Sequence, residues 1–148
     1  MFNPELLNII SYKLHKLNID NLSDSKESDD FYFTVDNKID LGFNDEHFLI
    51  QAILDIAIKK ISDKNEEVLA TSIISIEYVF HVENFDELHK FDENGVISVD
   101  KGLTTNISAV AYSTTRGLLL DRFRDTPFDN FILPVIDVNK DIITNAQS

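Results

Sequence analysis

Two long runs of alternating apolar and polar residues constrain the fold of this chain more than any other feature of its sequence. The runs are His47–Ile61 and Glu66–Val82, and each places an apolar side chain at every second position along most of its length. This alternation has the period of a β-strand, in which successive side chains point to opposite faces of a sheet. The polar residues Ser62–Asn65 between the runs are typical of a turn. The two runs therefore predict a long β-hairpin.

Two further runs predict strands ahead of this hairpin. Phe31–Phe43 alternates cleanly, and only Asn37 interrupts its apolar face. Leu6–Ile19 also alternates, but its phase slips by one residue after Leu14, which is typical of a β-bulge or a loose edge strand. Helical spacing of its first residues is the competing interpretation, and we favour the strand. Together the four runs predict a four-stranded antiparallel sheet.

One long helix is predicted after the sheet. Asp100 is a suitable N-cap for a helix that begins near Lys101 and continues to about Arg124, and a break before Tyr112 is compatible with the β-branched residues there. Gly117 costs about 1 kcal/mol relative to alanine in a helix interior, and we attribute its presence to the close approach of another backbone. The predicted stripe consists of Leu103, Ile107, Val110, Thr114, Leu118 and Asp121, with Ala111, Leu119 and Phe123 beside it.

A turn and a short apolar lid segment are predicted after the helix. Asp125–Asn130 surrounds a proline, and Phe131–Ile136 is apolar. Pro134 lacks a backbone donor, which favours an extended lid or an edge over a central strand. Residues 139–148 read as a polar tail. The predicted fold class is therefore α+β, a four-stranded antiparallel sheet followed by one long helix and a short apolar lid, in a single domain over residues 1–148.

The second face of the hairpin is more apolar than a solvent-facing sheet needs to be. Such residues require cover from another subunit or a ligand, whereas scattered apolar residues on a surface are the alternative. We therefore predict a homodimer or tetramer. The predicted interface contains Leu49, Ile53, Leu69, Ile73, Val79 and Gly117.

Charge and composition exclude several classes of function. The chain carries 26 acidic and 13 basic residues, a formal net charge of −13, which repels nucleic acids and membrane surfaces and favours basic partners. No apolar stretch is long enough to insert into a membrane, and the N-terminus lacks the pattern of a signal peptide. The absence of cysteine excludes thiolate catalysis and fits a reducing cytoplasm.

Residue patterns for catalysis or cofactor binding are also missing. The four histidines, His15, His47, His81 and His89, have no spacing typical of a metal site, and the four glycines form no phosphate-binding loop. We therefore expect no metal, no cofactor and no enzymatic activity.

Three charged residues still require an interpretation. Asp55 and Glu77 are the only candidates for paired catalytic carboxylates, and solvent-facing strand positions explain them better. For Arg116, we favour pairing with a buried carboxylate that fixes the helix to the sheet over an anion-binding site.

The stretch Ala111–Val138 provides a resemblance to a known family. An aromatic residue, an arginine in mid-helix, another near the helix end, a proline turn and a Leu-Pro pair follow one another there: Tyr112, Arg116, Arg124, Pro127 and Leu133-Pro134. With the four strands before it, this order resembles the SecB family of export chaperones over residues 6–138. The resemblance implies dimers of dimers that hold unfolded chains in apolar grooves. The peptide-binding residues it implies are Tyr112, Phe123, Phe128, Phe131 and Leu133.

The chain departs from the export chaperones after Asp141, where only a short stretch remains for their second helix and SecA-binding tail. We therefore expect a divergent SecB-like protein without SecA contact. Protein transport and toxin–antitoxin pathways are both compatible with the resemblance. The predicted function is that of an ATP-independent, cytoplasmic holdase or adaptor for unfolded or extended polypeptides. The alternative is an acidic inhibitor, such as an immunity protein or antitoxin, that binds one folded basic partner.

Overall fold

The computed structural model describes residues 2–22 and 30–138 and the backbone of residues 143–147. Within these residues, strands dominate the first half of the chain and one long helix follows them. In chain order, the elements are β1 (Leu7–Asn21), β2 (Phe31–Asn44), β3 (Leu49–Ser62), β4 (Val68–Val82), β5 (His89–Phe91), β6 (Ile97–Val99), α1 (Lys101–Arg122) and β7 (Ile143–Gln147).

The main sheet has the strand order β1-β4-β3-β2-β7. Its first four strands are antiparallel to their neighbours, and β7 pairs parallel to β2. The predicted hairpin is β3 and β4, paired from Leu49 opposite His81 to Ile61 opposite Val68. The predicted α+β class, with a four-stranded antiparallel sheet followed by one long helix, is confirmed. β5 and β6 form a separate small hairpin before the helix.

Sequence alone did not identify β7, because residues 139–148 read as a polar tail. The structure places residues 143–147 beside residues 38–42 of β2. Strand pairing of this kind joins segments that are far apart in the sequence, so no local sequence pattern predicts it. Residues 139–142 of the predicted tail lie outside the described residues.

The phase slip in the first run corresponds to irregularities in β1. The pairing of β1 with β4 shifts between Ile9 and Ser11 and again between Leu14 and Lys16. The second shift keeps Leu17 and Ile19 on the helix-facing side, opposite the inward-facing row of β4. A strand without this extra residue would turn both apolar side chains to the other face. The strand interpretation of the first run is therefore confirmed.

The core lies between the inner face of the sheet and α1. Every second residue of β3 and β4 is buried on this face, including Ile50, Leu54 and Ile76. Deep burial of such rows provides most of the stability, at roughly 25 cal/mol for each Å² of apolar surface removed from water. Asp100 caps the helix as predicted, because its side chain accepts a hydrogen bond from the Leu103 backbone N–H at 3.1 Å.

The helix is continuous through Tyr112, and its buried side differs from the predicted stripe. Val110 and Leu118 are only half-buried, and Thr114 and Asp121 are exposed. The buried residues are Leu103, Ile107, Ser108, Ala111, Tyr112, Thr115 and Leu119. Leu103, Ile107, Ala111, Leu119 and Phe123 are buried as predicted. The prediction was wrong to continue the stripe through Thr114 and Asp121, because spacing does not show that Thr115 is the polar residue with hydrogen-bond partners in the core.

Thr115 shows how a polar helix residue becomes part of the core. Its hydroxyl donates to the backbone carbonyl of Ala111 at 2.8 Å and accepts from the Tyr78 hydroxyl of β4 at 2.7 Å. Burial raises the pKa of Tyr78, although the hydrogen bond with Thr115 partly opposes it, so the phenol remains a donor. The chain of hydrogen bonds joins α1 to the middle of the sheet with no buried polar atom left unpaired among these three groups.

Candidate functional site

The strap, which we define as residues 131–138, contains the predicted lid segment Phe131–Ile136. It belongs to no helix or strand. Its side chains alternate at first, since Phe131 and Leu133 are buried while Ile132 between them is exposed. Leu133 is 2% exposed, whereas Val135 two residues later is 90% exposed. The strap therefore inserts two large apolar side chains into the core, and Ile136 and Val138 further along pack partly against it.

Aromatic rings receive the first part of the strap. The ring of Phe131 meets that of Phe33 at the start of β2 edge to face, with 4.9 Å between centroids. Phe128 lies between them and the helix end, 5.9 Å from Phe33 and 5.3 Å from Phe123. Such pairs contribute about 0.5–1.5 kcal/mol each beyond the burial of their area. The cluster fastens the end of α1 and the strap to β2.

Two side chains of α1 hold the backbone of the strap. Arg116 donates from Nε to the carbonyl of Leu133 at 3.0 Å and from Nη2 to the carbonyl of Pro134 at 3.3 Å. The Tyr112 hydroxyl donates to the same Pro134 carbonyl at 2.7 Å. The guanidinium also lies over the Tyr112 ring, 5.3 Å from its centroid. Two consecutive carbonyls of the strap are thus bound by side chains of α1.

These contacts correct the expected partner of Arg116. We expected a buried carboxylate, but none of the aspartates and glutamates among the described residues is buried, and Arg116 binds backbone carbonyls. The position of Arg116 still joins elements together, since it links α1 to the strap rather than α1 to the sheet.

The structure brings the predicted peptide-binding residues together but places them inside the protein. All five, Tyr112, Phe123, Phe128, Phe131 and Leu133, belong to one buried cluster. No ligand can reach these side chains while the strap is in this position. Their role in peptide binding stays a prediction, and it requires movement of the strap.

The predicted interface residues on the outer face of the sheet are more dispersed. Strand register separates them with polar residues, since Glu77 lies opposite Ile53 and Gln51 lies opposite Val79. Ile73 is exposed, and the other four apolar residues of the set are half-buried. Gly117 is exposed on α1, and a Cβ added there would meet nothing within 4 Å. The expected close approach of a backbone is therefore absent within the described chain, and the interface stays a prediction.

A second apolar surface, not singled out from the sequence, lies on the edge strand β1. No other strand of the described chain pairs with its outer edge. Three large side chains are exposed there, Ile9 at 47%, Ile10 at 55% and Tyr12 at 60%. The slip in the alternation did indicate an edge strand, and the exposure of these side chains follows from that position.

The outer face also carries a polar network centred on Glu77. Glu77 accepts hydrogen bonds from Gln51 and from His15, the latter at 2.9 Å, and His15 is the extra residue at the second irregularity of β1. The hydrogen bond with His15, and then that with Gln51, lowers the pKa of Glu77. A general acid needs the opposite shift. The network therefore joins three strands, β1, β3 and β4, and gives no support to acid catalysis by Glu77.

Two other features, a metal site and a membrane-spanning helix, are absent from the described part of the chain. Within residues 2–22 and 30–138, no group of three or more histidine, aspartate or glutamate side chains could hold a metal ion. None of the helices in that part of the chain has the length and apolarity needed to span a bilayer.

This chain is similar to a known protein in its fold. No protein-family model and no curated protein sequence matches the chain. The chain is similar to the solved structure of the Mycobacterium tuberculosis Rv1957 SecB-like chaperone in complex with a ChAD peptide from the Rv1956 HigA1 antitoxin. The TM-score is 0.64 at 9% sequence identity, over 89% of this chain and 91% of that chain. The sheet, the long helix and the strap of this chain therefore form a SecB-like fold.

Proposed function

We propose that this protein is an ATP-independent holdase or adaptor that binds unfolded or extended polypeptides without catalysing a reaction. The observation that carries the proposal is the likeness of fold, over nearly the whole of both chains, to a SecB-like chaperone solved with a bound peptide. The net charge of −13 supports basic segments as preferred clients. The cysteine-free sequence supports a cytoplasmic setting.

Weak apolar contacts provide enough affinity for such a role. Each large apolar side chain that a client buries contributes roughly 1.5–3 kcal/mol, so a few of them hold a chain reversibly. The acidic surface adds attraction that salt screens over a Debye length of about 8 Å at physiological ionic strength. Binding should therefore weaken with added salt but persist, because apolar burial remains.

Assembly into a homodimer or tetramer is part of the proposal. The open edge of β1 can pair antiparallel with the same edge of a second copy, which a two-fold axis permits. Pairing would satisfy the free backbone groups of β1 and cover Ile9, Ile10 and Tyr12, the residues that a monomer leaves exposed. Light scattering coupled to size-exclusion chromatography tests this proposal. A monomeric mass at micromolar concentration would contradict it.

The deciding experiment for the function is suppression of aggregation. Several unrelated denatured proteins are diluted into buffer with and without this protein, in the absence of ATP, and turbidity is followed. Protection of most of them at an equimolar ratio supports the holdase. Protection of none, together with tight binding to one folded basic protein, would replace the holdase by an acidic inhibitor, which the charge of the chain also favours.

A further inference from the structure

We propose that the seat of the strap is a binding site for an extended apolar segment of another polypeptide, which takes the place of the strap. This inference rests on the proposed function and adds to it the location of the site, the residues that hold the ligand and the pattern that the ligand must carry. The strap then acts as an internal competitor for its own binding site.

The strap is bound in the manner of a peptide ligand. It belongs to no helix or strand, it runs back along α1 from Phe123 toward Tyr112, and it inserts the side chains of Phe131 and Leu133. Insertion of alternate side chains is how extended peptides are recognised by protein surfaces. A ligand for this seat therefore needs two large apolar side chains separated by one residue.

The backbone contacts of the seat do not depend on the sequence of the ligand. Arg116 and Tyr112 bind two consecutive carbonyl groups, which every peptide possesses. The planar guanidinium presents two donors at a fixed spacing, so it can hold neighbouring carbonyls at once. Apolar pockets, together with side-chain donors that can bind the carbonyl of any residue, suit a site that accepts many clients.

The start of the strap is held by a hydrogen bond from the Phe131 N–H to the Phe128 carbonyl, at 2.9 Å. Arg116 and Tyr112 add polar contacts to its carbonyls, and both can make the same contacts to an incoming ligand. Exchange of the strap for a similar segment therefore replaces these contacts with equivalent ones.

Competition by the strap predicts how variants change the affinity for a ligand. A site that is open for only a fraction of the time binds its ligand more weakly by that fraction. Truncating Leu133 weakens the strap and leaves Arg116 and Tyr112 in place, so the ligand should bind more tightly. Truncating Arg116 weakens the strap and also removes the donor to the ligand, so binding should not improve.

The test uses a fluorescent peptide with the sequence of residues 129–138 and the full-length protein, followed by fluorescence anisotropy. We expect L133A to bind the peptide about tenfold more tightly than the unmodified protein, and R116A to bind it no more tightly. V135A is the matched control, since Val135 is exposed, and its affinity should be unchanged. A peptide with serine in place of Phe131 and Leu133 should not bind. Equal affinity of L133A and the unmodified protein would overturn the proposal.

A second measurement requires no variant, so a failure of L133A to fold does not block the test. Hydrogen–deuterium exchange at the Phe131 amide of the unmodified protein, which is hydrogen-bonded to the Phe128 carbonyl, should become faster when the peptide is added, because the peptide displaces the strap. Decreased exchange there would mean that the ligand binds over the strap, which contradicts the proposal.

Failure of the inference is distinguishable from failure of the proposed function. If denatured proteins are protected while exchange in the strap stays constant, clients bind elsewhere and the inference falls alone. If the peptide displaces the strap while no denatured protein is protected, the site stands and the holdase function falls.

Discussion

The two edges of the main sheet differ in how far other segments of the chain cover them. At one edge, β7 pairs along β2, and the aromatic cluster and the strap cover the start of that strand. At the other edge, β1 has no further partner among the described strands, and its inward-facing Ile9 and Tyr12 remain exposed. At the first of these, the closed edge, segments of the same chain cover Phe33, although Phe31 and Tyr32 beside it stay exposed. The open edge leaves the same kind of residue without cover.

This difference separates residues that the monomer needs from residues that a partner would need. Substitutions at the closed edge should reduce the free energy of unfolding. Substitutions at the open edge should change the oligomeric state and leave the unfolding of the monomer almost unaltered. Stability and oligomeric mass measured on single variants can show whether the two groups of residues are distinct.

The largest effect is expected at Phe131, on the closed side. Truncation to alanine removes a buried ring and leaves a cavity among Phe33, Phe123 and Phe128, which should cost about 3–5 kcal/mol in the free energy of unfolding. Urea denaturation measures this loss, and V135A, an exposed position on the same segment, should change it by less than about 0.5 kcal/mol. Similar values for the two variants would show that the strap adds little to the fold.

Arg116 should give the next largest loss. R116A removes two charge-assisted hydrogen bonds to the strap and should cost about 1.5–3 kcal/mol. R124A is the matched control, because Arg124 lies on the surface and its nearest ion-pair partner is Asp121 at 3.8 Å. Surface pairs of this kind contribute 1 kcal/mol or less. A loss in R124A as large as that in R116A would contradict the assigned role of Arg116.

Gly117 distinguishes packing within the chain from packing between copies. Nothing lies within 4 Å of a Cβ added there, so G117A should stabilise the monomer by roughly 0.5–1 kcal/mol through helix propensity. If α1 packs closely on another copy at this position, the same change should lower the oligomeric mass. Thermal melting and light scattering on one sample separate these outcomes.

Substitutions at the open edge should change the oligomeric mass and leave the stability of the monomer almost unaltered. I10K and Y12K place charge on exposed side chains of β1 and should alter the free energy of unfolding by less than about 0.5 kcal/mol. Both should lower the mass measured by light scattering if copies pair through this edge. N18K, on the same strand but facing the outer side, controls for the added charge. An unchanged mass in both edge variants would move the interface elsewhere.

The smallest effect concerns the link between Glu77 and the irregular part of β1. The pKa of Glu77 is lowered in the folded protein, so its contribution is present above the ordinary value of 4.5 and is lost as the pH falls toward the folded value. E77Q should therefore be less stable than the unmodified protein at neutral pH, by about 0.2–1 kcal/mol. The difference should vanish in acid, and a constant difference at every pH would exclude the ionised carboxylate as its cause.

The sequence predicted the strands well because their signal is local. Alternation along Phe31–Phe43 and the two runs after it reports directly which side of a sheet each residue faces, and the slip after Leu14 corresponds to the irregularity in β1. The phase of the helix was not accessible in this way. Burial of Thr115 depends on Tyr78, 37 residues earlier in the chain, and no spacing rule reveals such a partner.

The candidate site shows the same limit. It was predictable that Tyr112, Phe123 and Leu133 lie near one another, because a turn after a helix returns the chain along that helix. Their burial was not, because the pattern of an apolar segment is the same whether it covers a core or lines an open groove. The partners of Arg116 were also missed, since backbone carbonyls carry no sequence signature.

The parallel pairing of β7 with β2 has a consequence for how far this sheet can extend. A sheet with a long unpaired strand at both edges allows copies to add without limit, which is the geometry of fibres. Here the two edge strands differ, since β1 has 15 residues and β7 has 5. Pairing of two copies through β1 would give a ten-stranded sheet whose outer strands are both β7, and short edge strands are poor templates for further pairing.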